Sequence, residues 1–201
     1  MKGLKGSSME GEVAAERTAL DMNMKVVLGA IVLIILAIAL FPDIPVSFLG
    51  AFLVAVFGFF FSAVSSRMVG LVGGSNNPVS GMAIATLLFA TMVLKSTGDT
   101  GAHGMTGAIA IGSIICIIAA MSGDTSQDLK TGYILGATPR RQQLGELVGA
   151  AVSAVTIGGV MLLLDTAWGF GSPELSAPQA TLMKMIVEGV MDGNLPWTLV
   201  W

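Results

Sequence analysis

The sequence predicts an all-α, polytopic transmembrane helical bundle, and three observations predict it. Hydrophobic residues fill 54% of the 201 positions and charged residues only 11%, where an ordinary soluble domain carries roughly a quarter. The apolar residues gather into five runs on the scale of the roughly 20 residues that cross a hydrocarbon layer of about 30 Å. Between the runs, glycine and proline punctuate short polar connections and leave no stretch for an inserted soluble domain.

Taken in order, residues 1–24 are a polar tail carrying Glu10, Glu12, Glu16 and Arg17, read as a solvated or interfacial segment. It lacks the short apolar core directly after a basic start that a cleaved signal peptide needs. Residues 25–201 form the transmembrane domain. The first span, 25–41, is almost unbroken aliphatic sequence and is stopped by Pro42-Asp43-Ile44-Pro45. The second, 46–64, is rich in Phe and turns back tightly from the first. The third, 79–94, is short; the fourth covers 104–121 and the fifth 144–164. Beyond them, Ser176-Ala177-Pro178-Gln179 reads as a capped helix start, with Ser at the cap and Gln three residues on. Thr181, Lys184, Glu188 and Asp192 then recur at helical spacing, and Lys184 and Glu188 can pair at i,i+4. Residues 195–201, LPWTLVW, read as the first part of a further span with Trp at the interface, so the chain looks cut short.

Composition narrows the function. Glycine, at 26 residues, suits helices whose backbones approach closely in lipid, where packing drives association. The 13 methionines are scattered without ligand spacing and read as packing, so neither a metal site nor a cofactor is expected. Cys116 stands alone among isoleucines and reads as an inert core residue. With net charge −3 and no basic patch, nucleic acid is not a partner. A cytoplasmic N-terminus places Lys2, Lys5, Arg17, Lys25, Arg67, Lys130, Arg140 and Arg141 inside and only Lys95 and Lys184 outside, which satisfies the positive-inside rule for a multi-pass plasma-membrane protein.

Two stretches interrupt this pattern. Residues 65–81, SSRMVGLVGGSNNPVSG, read as too polar and glycine-rich to continue a helix. Gly73-Gly74 opens unusual backbone conformations, and Pro78 disfavours helix at Asn77. Residues 122–143, SGDTSQDLKTGYILGATPRRQQ, read as an apolar helix, a Gly-polar break, and a short apolar piece before Pro139. Gly/Pro-interrupted helices of this kind line substrate and ion sites in transporters, and both stretches are candidates for re-entrant segments.

These two stretches resemble the oligopeptide transporter (OPT) family, which includes the yellow-stripe-like metal–chelate transporters. The resemblance is carried by Gly73–Gly81 (GGSNNPVSG), by the 122–143 stretch and by Gly145-Glu146-Leu147-Val148-Gly149, with Ala177-Pro178-Gln179-Ala180-Thr181 and Leu195-Pro196-Trp197 in support. It implies a multi-helix secondary transporter, commonly proton-coupled, moving small peptides or metal chelates inward. Members of the family are longer, so the chain resembles the C-terminal part only, and a second chain or a homo-oligomer would complete the transporter.

Asp124 and Asp128 lie one helical turn apart and, with Glu146, are the candidates for proton coupling, because desolvated carboxylates titrate nearer neutrality. The competing roles are helix capping or pairing with Lys130, Arg140 or Arg141. Ser75, Asn76, Asn77, Thr125, Gln127, Thr131 and Tyr133 are the candidates for substrate binding, in competition with satisfying the backbone of broken helices. Arg140 and Arg141 read as anchors at the membrane boundary, and His103 beside Asp99 as a structural interfacial pair. Gly132…Gly136 and Gly145…Gly149 match small-xxx-small helix contacts. Catalysis is not expected. An intramembrane aspartyl protease would need a second buried Asp on another span, and Asp43, Asp99 and Asp165 all sit at span ends. A non-transporting fragment or partner subunit is the remaining alternative class.

Overall fold

The computed structural model describes residues 17–193. The expectations for residues 1–16 and 195–201 lie outside the described residues. Six α-helices follow one another, with no strand among the described residues: α1 (Met24–Leu40), α2 (Phe48–Val72), α3 (Val79–Ser96), α4 (Ala102–Leu135), α5 (Pro139–Ala167) and α6 (Pro178–Asp192). Helices α2, α4 and α5, together with Arg17–Leu40 and Gly74–Ser96, are long and apolar enough to cross a membrane. The five predicted spans are therefore all present.

Their ends follow from local chemistry. The Asn23 side chain accepts the Lys25 N–H at 3.0 Å and starts α1, and the Ser47 hydroxyl accepts the Gly50 N–H at 3.2 Å and starts α2. Pro139 occupies the first position of α5, where its missing N–H costs nothing. Helix α4 ends in a left-handed Gly136 at φ 70°, the conformation that favours glycine. Successive helices reverse direction. The tips at 41–47, 97–101 and 168–177 thus share one end, called the Pro45 end; the turns at 73–78 and 136–138 share the other, the Pro78 end.

The core lies between α2, α3 and α4. Leu87, Ala90 and Leu94 from α3 meet Ala108 and Ile111 from α4 and Ala51, Leu53 and Val54 from α2, all buried. Gly107 allows a close approach: a Cβ there would stand 2.7 Å from the Pro45 carbonyl oxygen. Helix α6 docks at the Pro45 end with Val187 and Met191 in the same cluster, and Lys95 Nζ donates to the Val190 carbonyl at 2.8 Å. Its exposed face carries the expected Lys184–Glu188 pair at 3.6 Å. Helix α5 stands apart: none of its residues is buried.

Three local expectations are corrected. Helix α2 continues through Ser65–Val72, because Ser65 and Val69 pack inward on α4; the break is confined to Gly73–Pro78. Helix α4 runs unbroken through the 122–135 region, so Asp124 is mid-helix and not at a half-helix start. At about 1.5 Å per residue its 34 residues extend about 50 Å, longer than the hydrocarbon layer, and the polar third forms its extension at the Pro78 end. The Ser176 cap is not made: Ala177 holds the cap position of α6 without a side-chain bond, and Pro178 opens the helix.

Candidate functional site

The polar chemistry collects at the Pro78 end, in two seams flanking the last third of α4. The first joins α4 to α2 and to the turn at Gly73–Pro78. Gly73, at φ 104°, ends α2; Gly74–Asn76 make a single 3-10 turn, and Pro78 leads into α3. Ser65 is fully buried, and its hydroxyl lies 3.0 Å from Asn77 Oδ1 and against the Ala119 carbonyl. Asn77 Nδ2 donates to that same carbonyl at 3.4 Å. This three-residue clamp fits only because position 123 is glycine: a Cβ would fall 2.6 Å from Asn77 Nδ2, 2.9 Å from Val69 Cγ2 and 3.1 Å from Ser65 Oγ. Further along, the Ser126 hydroxyl donates to the Ser66 carbonyl at 2.8 Å and Lys130 Nζ to the Gly70 carbonyl at 2.6 Å. The glycine read as a helix breaker is thus a contact point.

The second seam joins α4 to the first turns of α5. The Thr125 hydroxyl donates to Glu146 Oε2 at 2.7 Å, and Gln142 Nε2 donates to the Asp128 carbonyl at 3.2 Å. Gln142 lies directly over Gly132. Glu146 is half-buried and its Oε1 has no donor; the group facing it is the Asp128 carboxyl.

The expected residues therefore sort into groups. Thr125, Asp128 and Glu146 meet across α4 and α5. Ser75 and Asn76 are exposed on the turn, with the Gln127 amide oxygen within contact of Gly74. Asn77 is committed to the clamp. The Thr131 hydroxyl bonds back to the Gln127 carbonyl of its own helix, and Tyr133 is 78% exposed and joins neither seam. Asp124 is exposed. Among the described residues no carboxylate pairs with Lys130, Arg140 or Arg141; Lys184–Glu188 is an ion pair, and His103 Nδ1 lies 3.4 Å from Asp99 Oδ1. Ser65, Ser126 and Gln142 were not foreseen. Their signal is weak, since a buried Ser and a Gln in the first turn of a helix are common for structural reasons.

Five membrane-length apolar helices, with polar seams gathered at one end, define a multi-pass helical membrane protein. The chain belongs to the OPT family: the family model described as "OPT oligopeptide transporter protein" matches residues 6–201. It is 38% identical over 168 residues to a Haemophilus influenzae protein named "Putative oligopeptide transporter", covering 74% of this chain and 26% of that protein. A Saccharomyces cerevisiae protein named "Putative oligopeptide transporter YGL114W" is 33% identical over 122 residues, covering 60% of this chain and 16% of that one. A rice protein named "Iron-phytosiderophore transporter YSL15" is 26% identical over 110 residues, covering 53% of this chain and 16% of that one. The chain thus spans about a quarter, or less, of the length of the relatives it matches. No solved structure matches it significantly.

Proposed function

We propose that this chain is the C-terminal part of a secondary transporter that moves oligopeptides or peptide-like metal chelates across the plasma membrane by proton symport. The names of its relatives support the cargo class. The carrying observation for the coupling is Glu146, half-buried in the α4–α5 seam, held by Thr125 at one carboxyl oxygen and without a partner at the other, with Asp128 the neighbouring acid of the same seam. Protonated once, the pair closes the seam, with Thr125 holding the other Glu146 oxygen; deprotonated, two like charges face each other and push α5 away from α4. Proton binding is thereby converted into helix movement. Substrate is met by Ser75, Asn76 and Gln127 at the exposed turn, beside the start of α3, with Asn77 setting the turn's position. Asp124 remains a peripheral acid at the same mouth. The cytoplasmic side is the Pro78 end, where Lys25, Arg67, Lys130, Arg140 and Arg141 gather.

The absence of any buried residue on α5 and the short coverage of the relatives support a second statement: a partner chain, or a second copy, completes the transporter. Proteoliposome uptake of a tripeptide under an inward proton gradient tests the reading. Glu146→Gln keeps a hydrogen-bonding side chain facing Asp128 and is expected to abolish gradient-driven uptake while sparing peptide exchange at equal pH. Gradient-driven uptake at the wild-type rate in Glu146→Gln would remove the coupling role.

A further inference from the structure

We infer that Lys130 anchors the carboxylate of the transported peptide or chelate, its ammonium forming a carboxylate-binding subsite with Gln127 and the Ser75–Asn76 turn. The inference rests on the transporter reading above. An ammonium has three N–H donors, and Lys130 spends one on the Gly70 carbonyl, in the last turn of α2 where carbonyls lack backbone partners. Capping a carbonyl uses a donor but leaves the charge uncancelled. Among the described residues no carboxylate lies within ion-pair distance of it. Asp128, two residues earlier, faces Glu146 across the other seam.

The tie to Gly70 does more than satisfy that carbonyl. It holds a long, otherwise mobile side chain at the α2–α3 break, so less freedom is lost when an anion arrives. One helical turn earlier Gln127 reaches Gly74, and the exposed Ser75 hydroxyl and Asn76 amide follow directly. A point charge with neutral donors beside it suits a carboxylate, whose oxygens accept several bonds at once. Arg67 is also a cation of this end of α2, exposed and without a carboxylate partner among the described residues. It makes no tie across the seam and serves as the control.

Equilibrium binding of trialanine and of trialanine amide to the full chain in nanodiscs tests this. Wild type is expected to favour the free acid by about tenfold, the effect of one charge-assisted hydrogen bond. Lys130→Met is expected to lose that preference, Lys130→Arg to keep most of it, and Arg67→Met to leave it unchanged. A purely structural role for Lys130 would weaken both peptides equally and leave the acid-to-amide ratio intact, which would overturn the assignment. So would a preference lost equally in Arg67→Met, the sign of a diffuse field. Binding of neither peptide to wild type would instead overturn the transporter reading, and this inference with it.

Discussion

Gly123→Ala is the most demanding test of the α2–α4 seam. The added methyl would stand 2.6 Å from Asn77 Nδ2, 2.9 Å from Val69 Cγ2 and 3.1 Å from Ser65 Oγ. All three neighbours sit at the clamp, and Ser65 is fully buried, so none can yield cheaply. Overpacking of this kind costs about 1–3 kcal/mol. Displacing Asn77 also breaks its bonds with Ser65 and the Ala119 carbonyl, at about 1 kcal/mol each. The better helix propensity of Ala returns about 1 kcal/mol, so a net loss of about 2–4 kcal/mol is expected. Gly29→Ala, mid-helix with nothing within 4 Å of its Cβ position, supplies the control and should be neutral or stabilising. Unfolding by SDS titration in mixed micelles, followed by Trp fluorescence, reads both. In an Asn77→Ala background the closest clash is gone, and Gly123→Ala should cost at least about 1 kcal/mol less. A Gly123→Ala protein within about 0.5 kcal/mol of wild type would refute the clamp.

Other expectations follow from the second seam and the surface. Thr125→Val leaves Glu146 Oε2 without its donor and should cost about 1–3 kcal/mol in the same SDS titration, whereas Thr131→Val, whose hydroxyl bonds only its own helix, should stay within about 0.5 kcal/mol. Gly132→Ala pushes on the flexible end of Gln142, so the side chain swings away; the lost Gln142–Asp128 carbonyl bond, about 1 kcal/mol, is offset by about 1 kcal/mol of helix propensity, and the double variant with Gln142→Ala should be about 1 kcal/mol more stable than Gln142→Ala alone. Lys184→Ala removes an exposed ion pair 3.6 Å long, with side chains 67% and 41% accessible, and a change above about 0.5 kcal/mol would contradict that reading.

The spans were legible because an apolar run long enough to cross lipid has few alternative uses; α1 and α2 start within two residues of the expected 25 and 46, where Asn23 and Ser47 cap them, but α2 runs on to Val72, past the expected end at 64. The central stretch misled because Gly123 and its polar neighbours were read by propensity. A polar helix is stable where it extends past the hydrocarbon or lies in a seam. Gly123 serves a contact with Asn77, 46 positions earlier in the chain, which no local pattern reports. The true stop was Gly136, followed by Pro139, the ordinary order for a helix end and a helix start. The Thr125–Glu146 contact was closer to legibility. Two antiparallel helices around a short turn bring together residues at similar distances from it, and these two straddle Gly136–Thr138 in that way.

The two seams differ in strength, and the difference bears on which element moves. Helix α4 is joined to α2 and the turn after it by a buried hydroxyl, the Asn77 amide, a second serine and an ammonium, all bonded to backbone carbonyls, with Gly123 at the contact. Backbone acceptors are fixed, and breaking this set would leave the buried Ser65 hydroxyl without its partner across the seam and the Gly70 carbonyl without its donor. Helices α4 and α5 share one hydroxyl–carboxyl bond and one amide–carbonyl bond among the described residues, and α5 buries no residue. On the proposed mechanism α2, α3, α4 and α6 form the stationary body, and α5 swings on the turn at Gly136–Thr138. On that proposal the Asp128–Glu146 pair, whose interaction changes sign with a proton, drives the motion. A cysteine cross-link between positions 132 and 142, where the Gln142 side chain lies over Gly132 across the α4–α5 seam, made in a Cys116→Ala background, should therefore block transport while leaving peptide binding at the α2–α3 turn intact. A cross-link between positions 66 and 126, across the stationary seam, should leave both. Loss of transport from the second cross-link but not the first would reverse the assignment of the moving element.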